Sequence, residues 1–551
     1  MTGGGAAGRP QGRLFAGGPI LTVAADRAAR QRAEALAVVG DRILHAGSLA
    51  DCRDALGPDH RQVDLAGRAL VPGFVDAHCH PLMLSQTDSW LDVSPTVARS
   101  IPELVAVLRA RAATLPPGEP LRAYGYAQRA WPEFRHPVAV ELDGAATDRE
   151  IYVMNASGHG GVLNSFGLAA HGITRDTPDI PGGEIGRNAD GSPNGLVWDA
   201  ACDLLTGPDG VKIGRHGPNI HLPEPTDRWP GLLAAAQEKF LRAGVTTVVD
   251  AQVSRRELSA YVIGADSGAL RLRVEMLVLS ALLDEVLELG LVRRLGGDAL
   301  GFAGIKLYAD GALGSGTAYF PEGYASDRSQ TGSLYHEPAA YAELVRRAHA
   351  AGLQTGTHSQ SPTSIAMVLD AVEAAQRAVP RADMRHRIDH CGLPTPDQVK
   401  RIAALGMVPV PQPGHHHQYG DGVVRAVGQK LGERYNPIGE FAAAGIPVVL
   451  SSDAPVSPPS PLVAIQAAVD RRTVNGNVLG GPGLRVDVAT ALRGHTLGAA
   501  YAIHRDHAVG SLEAGKLADL AVLTADPTAV DPETVGAIRV VETWLGGERV
   551  A

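Results

Sequence analysis

The chain predicts an α/β fold, a (β/α)8 TIM-type barrel with a small β-sandwich formed from both termini. Three observations carry that expectation. Eight short apolar runs of strand character recur through the middle of the chain, and helical stretches separate several of them. Histidine, lysine or aspartate sits at or near the end of several of these runs, which is where the chemistry of such a barrel gathers. Both ends of the chain carry β-like runs broken by turns, unlike the alternating middle.

Taken in order, residues 1–13 read as a flexible tail, because MTGGGAAGRPQGR has no apolar stretch. Residues 14–71 contain ILTV, ALAVVGDRILHAG and VDLAGRALVPG, with turns at Gly40-Asp41 and Gly67-Arg68. Residues 508–551 repeat the texture with LADLAVLTADP and IRVVETWLGGERV, so the two ends are expected to share one composite sandwich. Between them, residues 72–507 form the barrel. Its strands are expected at Gly73–His78, Val245–Asp250, Leu272–Leu279, Gly304–Ala309, Gln354–His358, Arg387–Cys391, Met407–Pro411 and Val448–Asp453. Helices are expected at 231–244 and 341–352. A stretch at about 85–230, rich in Gly, Pro and polar residues, reads as an insertion that roofs the site. Without it, the barrel segment is close to the ~250 residues typical of the fold.

Bulk composition narrows the function. A net charge of −9 with no basic cluster argues against a nucleic-acid or anionic-membrane partner. No apolar run reaches the ~18 residues of a membrane span, and a cytoplasmic location is the default expectation. The four cysteines form no CxxC pair, and Cys79 and Cys391 read as small buried fillers. No pattern encodes oligomeric state, and a homo-oligomer is compatible with the sequence.

The chemistry begins at PGFVDAHCH. Alternate strand residues point to one face, so His78 and His80 project together and can grip one metal ion, with Asp76 placed to steady an imidazole. Lys306, His358, His390 and Asp453 follow in the order a two-metal hydrolase needs, with His358 and His390 completing a second metal and Asp453 on the first. A lysine inside a barrel is costly unless it is paired or chemically changed. Carboxylation of Lys306 would give two anionic oxygens for bridging two cations, and a salt bridge to Asp310 or Asp250 is the alternative. Nitrogen and oxygen ligands suit two Zn2+ ions, though Mn2+ or Fe2+ would also fit. Three glycine-rich or histidine-rich loops supply candidates for substrate binding: Asn155 and His159 in NASGHGGVLNS, Asp310 in DGALGSGTAYF, and His415 and His416 in PQPGHHHQYGD. One histidine of 415–417 is expected to reach the site and the others to lie at the surface.

Together these residues resemble the amidohydrolase superfamily, specifically its family 3 of YtcJ-like metal-dependent hydrolases. The shared motifs run from VPGFVDAHCH through YGYAQRAW, SGHGGVLNS, GGEIGRNADGSPNGLV, IKLYADGALGS, RIDHC, VPVPQP and SSDAPV to GSLEAGKLADLAVLTADP and TWLGGERV. The resemblance implies one metal on His78, His80 and Asp453, a second on His358 and His390, and Lys306 between them. It also implies C–N hydrolysis outside peptides, as in N-substituted formamide deformylases. Two departures stand out. The chain reads HSQSPTS after His358, where many members have HAIGD, and Gly316 stands where many have arginine.

The expected activity is metal-assisted hydrolysis of a small, largely neutral amide. Asp453 would carry the proton to the leaving nitrogen and His159 would assist at the substrate. A deaminase or an ester or lactone hydrolase on the same site is the enzymatic alternative. A non-catalytic scaffold is the alternative from another class.

Overall fold

The computed structural model describes residues 12–26, 31–291 and 297–551. Of the expected tail, residues 1–11 lie outside the described residues, whereas Gly12 and Arg13 already belong to a strand, Gly12–Leu21.

Seven parallel strands form the central sheet: β1 (Phe74–Cys79), β2 (Val245–Val253), β3 (Arg273–Leu279), β4 (Leu300–Tyr308), β5 (Thr355–Ser359), β6 (Arg387–His390) and β7 (Val408–Val410). They pair in chain order from β1 to β7, as a TIM-type barrel requires. Helices such as Trp229–Arg242, Pro338–Ala350 and Pro362–Ala378 lie between them in sequence. Ile305 and Leu307 of β4 share an apolar cluster with Tyr341, Val345, Ile365 and Val368 of these helices, so their side chains pack outward. Lys306, between them, therefore points the other way.

The eighth expected strand, at residues 448–453, runs through the gap without a strand ladder. It is held on both sides. Asp453 N donates to His78 O at 2.7 Å on the β1 side, and Ser451 Oγ donates to Pro411 O at 3.2 Å after β7. Asp76 adds the strongest tie, accepting from Ser452 N at 2.9 Å and Ser452 Oγ at 2.5 Å. Asp76 thus holds the closing segment of the barrel rather than an imidazole, which corrects the sequence-based expectation.

Strands from both chain ends join one hydrogen-bonded sheet of eight. Ala69–Pro72 at the entry to the barrel pairs antiparallel with Leu520–Leu523 near the C-terminus. The Gly40-Asp41 turn lies between Arg32–Val39 and Arg42–Gly47 as expected. The region at 85–230 contains its own six-stranded sheet, from Leu91–Asp92 to Pro193–Asp199, above a core that includes Tyr126, Trp131, Ile151 and Val162. Composition hid this element because its strands are short and glycine-interrupted. Its strand ends deliver Asn155 and Asp199, and the loop after Asn155 delivers His159.

Candidate active site

At or just beyond the C-terminal ends of β1, β6 and β7, buried imidazoles converge on one carboxylate. His78 Nε2 lies 3.4 Å and His80 Nε2 3.2 Å from Asp453 Oδ1, while His415 Nε2 lies 3.5 Å from Asp453 Oδ2. Among the described residues, two groups bring potential ligand atoms within 4.8 Å of one another: His78, His80 and Asp453, and His390, His415 and Asp453.

Backbone geometry aims two of these residues. Strand alternation would send His390 to the face opposite Asp389, beside the outward-packed Ile388. Instead His390 adopts φ +69° and swings toward His78, with ring centroids 4.9 Å apart. Asp453 likewise holds φ +57°. Left-handed backbone at non-glycine residues costs ~1–3 kcal/mol and clusters at functional sites.

Neighbouring groups fix the orientation of the imidazoles. His390 Nδ1 donates to Gln412 Oε1 at 2.7 Å, which leaves Nε2 as its lone-pair nitrogen. Gln412 is held in turn, its Nε2 donating to Val410 O at 2.8 Å and Ser451 Oγ at 3.0 Å. His78 Nδ1 lies 3.0 Å from Asp389 Oδ2, and Tyr261 Oη donates to Asp250 Oδ2 at 2.6 Å near His80. Burial holds His358 and His390 well below the ordinary histidine range, and burial, opposed by Asp453, puts His415 at about 4. These three imidazoles are therefore neutral electron-pair donors at neutral pH. Burial would raise Asp453, but hydrogen bonds with His78 and His80 hold it well below the usual carboxylate range.

Lys306 is fully buried and donates to Asp389 Oδ2 at 3.0 Å. That bond skips β5, and such a reach passes only through the barrel interior. The ion pair therefore forms with Asp389, and neither Asp310 nor Asp250 takes the role. Arg387 Nε and Nη2 clasp Asp389 Oδ1 at 3.0 and 2.8 Å. Burial opposes the charge on Asp389, yet Arg387, Lys306 and His78 hold its carboxyl well below the usual range. Burial pushes the Lys306 ammonium below the usual lysine range, with Asp389 opposing. Asp389 was not singled out in the sequence. The signal was available, since Arg387 and Asp389 share a strand face as His78 and His80 do.

His358 lies beside His390, ring centroids 4.3 Å apart, but belongs to neither convergent group. Its Nε2 donates to Gly311 O at 3.1 Å.

A cavity of about 400 Å³ reaches the cluster, bordered by Asn155, His159, His358, His390, His415 and Asp453. His159 Nδ1 bonds Asp199 Oδ1 at 2.8 Å, and the same oxygen accepts from Tyr335 Oη at 2.5 Å. Nε2 of His159 is thereby left for a substrate. Neither Asp199 nor Tyr335 carries a local sequence signal, because each is far in sequence from the histidine it holds. Asn155 lines the cavity while donating to Tyr126 O and Gln128 Oε1 and accepting from Ser157 N, so it also shapes its loop.

Two expected substrate contacts lie elsewhere. Asp310 spends its carboxylate on the backbone N–H groups of Tyr319, Gln360 and Ser361, pinning the loops after β4 and β5. His416 is fully buried, donates to Ala467 O at 2.8 Å and faces the Pro461–Asp470 helix. Both correct the expectation, whereas His417 is half-buried and donates to Arg472 O. Helical spacing explains the difference: 415–417 fall near the start of Pro413–Val427, where consecutive residues point ~100° apart. Cys79 and Cys391 are buried free thiols, as expected.

Comparison with known proteins bears on the family. The model of the amidohydrolase family matches residues 61–551. The chain is 29% identical to the N-substituted formamide deformylase of Arthrobacter pascens, over 94% of each chain. It is 27% identical to the Bacillus subtilis (strain 168) protein YtcJ, which is named as an amidohydrolase, over 98% of this chain and 99% of that one. In fold it is similar to an uncharacterized metal-dependent hydrolase from Pyrococcus horikoshii OT3, with a TM-score of 0.73, 23% identity and coverage of 95% and 99%. The chain belongs to the amidohydrolase family.

Proposed function

We propose that this protein is a metal-dependent hydrolase that cleaves a non-peptide C–N bond of a small amide. The observation that carries the reading is the convergence of His78 Nε2, His80 Nε2 and Asp453 Oδ1 at the mouth of the barrel. The donor set suits a divalent cation: imidazole nitrogens and a carboxylate are zinc's usual ligands. His80 Nδ1 and His415 Nε2 are also buried without a hydrogen bond. His78, His80 and Asp453 would hold one ion, with His390, His358 and His415 available to a second. A bound cation supplies Lewis-acid polarisation of a carbonyl and lowers the pKa of water toward ~7. Asp453 accepts a proton on the attack side and returns it to the leaving nitrogen, which would otherwise depart as a strongly basic anion. His159, fixed through Nδ1 by Asp199, presents Nε2 to the substrate and orients the carbonyl or the leaving group.

Lys306 extends the proposal. Burial disfavours its ammonium, against the opposing ion pair with Asp389, and so shifts the balance toward the neutral amine that reaction with CO2 requires. Carboxylation would exchange the ion pair with Asp389 for a carbamate whose two oxygens share one negative charge and would serve as metal ligands. Apo-protein reconstituted with isotopically labelled bicarbonate should then show a carbamate signal that Lys306→Ala abolishes. A free amine beside fully loaded metal would remove this extension and leave the hydrolase.

The relationship to a formamide deformylase favours amides over other carbonyl compounds. A screen of N-acyl and N-formyl amines, esters and lactones against metal-loaded enzyme tests the reading. Turnover of amides is expected. Activity confined to esters or lactones would overturn the choice of bond.

A further inference from the structure

Arg129 borders the catalytic cavity but takes no part in the metal cluster. Its Nε donates to Gly314 O at 3.1 Å, and its guanidinium lies 5.2 Å from the Tyr324 ring and 5.4 Å from the Phe134 ring. Arg425 borders the same cavity and covers the same Phe134 ring at 4.0 Å. Two cations thus flank one aromatic ring. Among the described residues, neither makes an ion pair with a carboxylate. Burial lowers the pKa of Arg129, and repulsion from Arg425 adds to the effect.

The acidic groups bordering this cavity are otherwise occupied. Asp453 belongs to the metal cluster, and the Asp421 carboxylate accepts from Thr473 Oγ1, Asn475 Nδ2 and Asn477 Nδ2 at 2.8–3.0 Å. Arg129 is half-buried and Arg425 exposed at the cavity rim, so both guanidinium groups keep N–H donors for a ligand oxyanion.

Gly316 makes room for this arrangement. It adopts φ +84°, and a Cβ there would stand 2.8 Å from Arg129 Nη2 and 2.3 Å from Gln330 Nε2. Glycine at 316 therefore does not empty the cavity of positive charge. It leaves space for a guanidinium that arrives from residue 129.

We propose that Arg129, with Arg425 beside it, forms an anion subsite of the catalytic cavity, and that the amide substrate carries a carboxylate bound there. The planar guanidinium fork matches a carboxylate with two parallel hydrogen bonds. A cavity of about 400 Å³ takes a small molecule spanning both ends. The substrate class is then the N-acyl amino acid in its broad sense, and it replaces the largely neutral amide expected from the sequence. This proposal rests on the amide reading above.

The test compares N-acyl amino acids with the matching N-acyl amines, which lack only the carboxylate. Wild-type kcat/KM should favour the carboxylate series by at least ~10-fold. Arg129→Met should reduce that ratio at least ~10-fold, chiefly through KM, with Arg129→Lys intermediate and Arg425→Gln smaller. An unchanged ratio in well-folded Arg129→Met, or a wild-type preference for the neutral series, overturns the subsite. A second measurement separates the two readings: the shift in Tm on adding N-acetylglycine or N-methylacetamide. If no amide is turned over, yet N-acetylglycine raises Tm in the wild type and not in Arg129→Met, the amidase reading fails and the subsite stands. A rise that persists in Arg129→Met overturns the subsite.

Discussion

At the scale of single residues, the site depends on groups placed to take one protonation state each. Asp453 stays charged because His78 and His80 face its Oδ1, so Asp453→Asn should lower kcat by at least ~10²-fold, read by single-turnover kinetics with metal content measured alongside. An unchanged rate with metal retained would remove Asp453 as the proton carrier. His159 depends on Asp199 in the same way. Asp199→Asn should cost at least ~10-fold in kcat with less effect on KM, and an effect on KM alone would make the pair a binding device. Asp389 serves architecture, since its carboxylate meets Lys306, His78 and Arg387 at once. Asp389→Asn leaves buried cations poorly matched and should cost ~3–5 kcal/mol in denaturant unfolding. His78 and His80 were legible because period-two spacing on a strand is a local pattern. Gln412, Asp199 and Tyr335 were not, because each acts on a histidine distant in sequence.

At the scale of elements, seven strand expectations fall on observed strands with ends shifted by a few residues, and the eighth does not form a ladder. The apolar run VVLSSD reads as a strand, but its hydrogen bonds go to Asp76, His78 and Gly494. Sequence shows that a segment is apolar, whereas ladder formation depends on the register its neighbours offer. The Asp76–Ser452 tie therefore does the work of a missing strand pair. Asp76→Ala should lower the stability of apo-protein by ~1–3 kcal/mol and weaken metal retention, because Asp453 follows Ser452 directly. An unchanged denaturation midpoint would mean that the closing segment is held by packing alone. The same limit applies to His390 and Asp453, whose positive φ angles turn them into the site against simple alternation. Nothing in RIDHC or SSDAPV announces that turn.

At the scale of the whole molecule, three sheets divide the labour. The barrel brings the metal-ligand candidates together at one end. The inserted sheet brings Asn155, His159 and Asp199 over that end, and the sheet built from both termini joins the entry of the barrel to the end of the chain. Among the described residues, no helix is long and apolar enough to cross a membrane. On this reading the histidine and aspartate cluster exists to bind catalytic metal. Elemental analysis of purified protein, paired with amide turnover, tests it most directly. Wild type should carry at least one divalent metal per chain, and His78→Ala and His80→Ala should lose both that metal and turnover. Wild-type protein that turns over amides after exhaustive chelation, or His80→Ala with full metal and near-normal rate, would contradict the account.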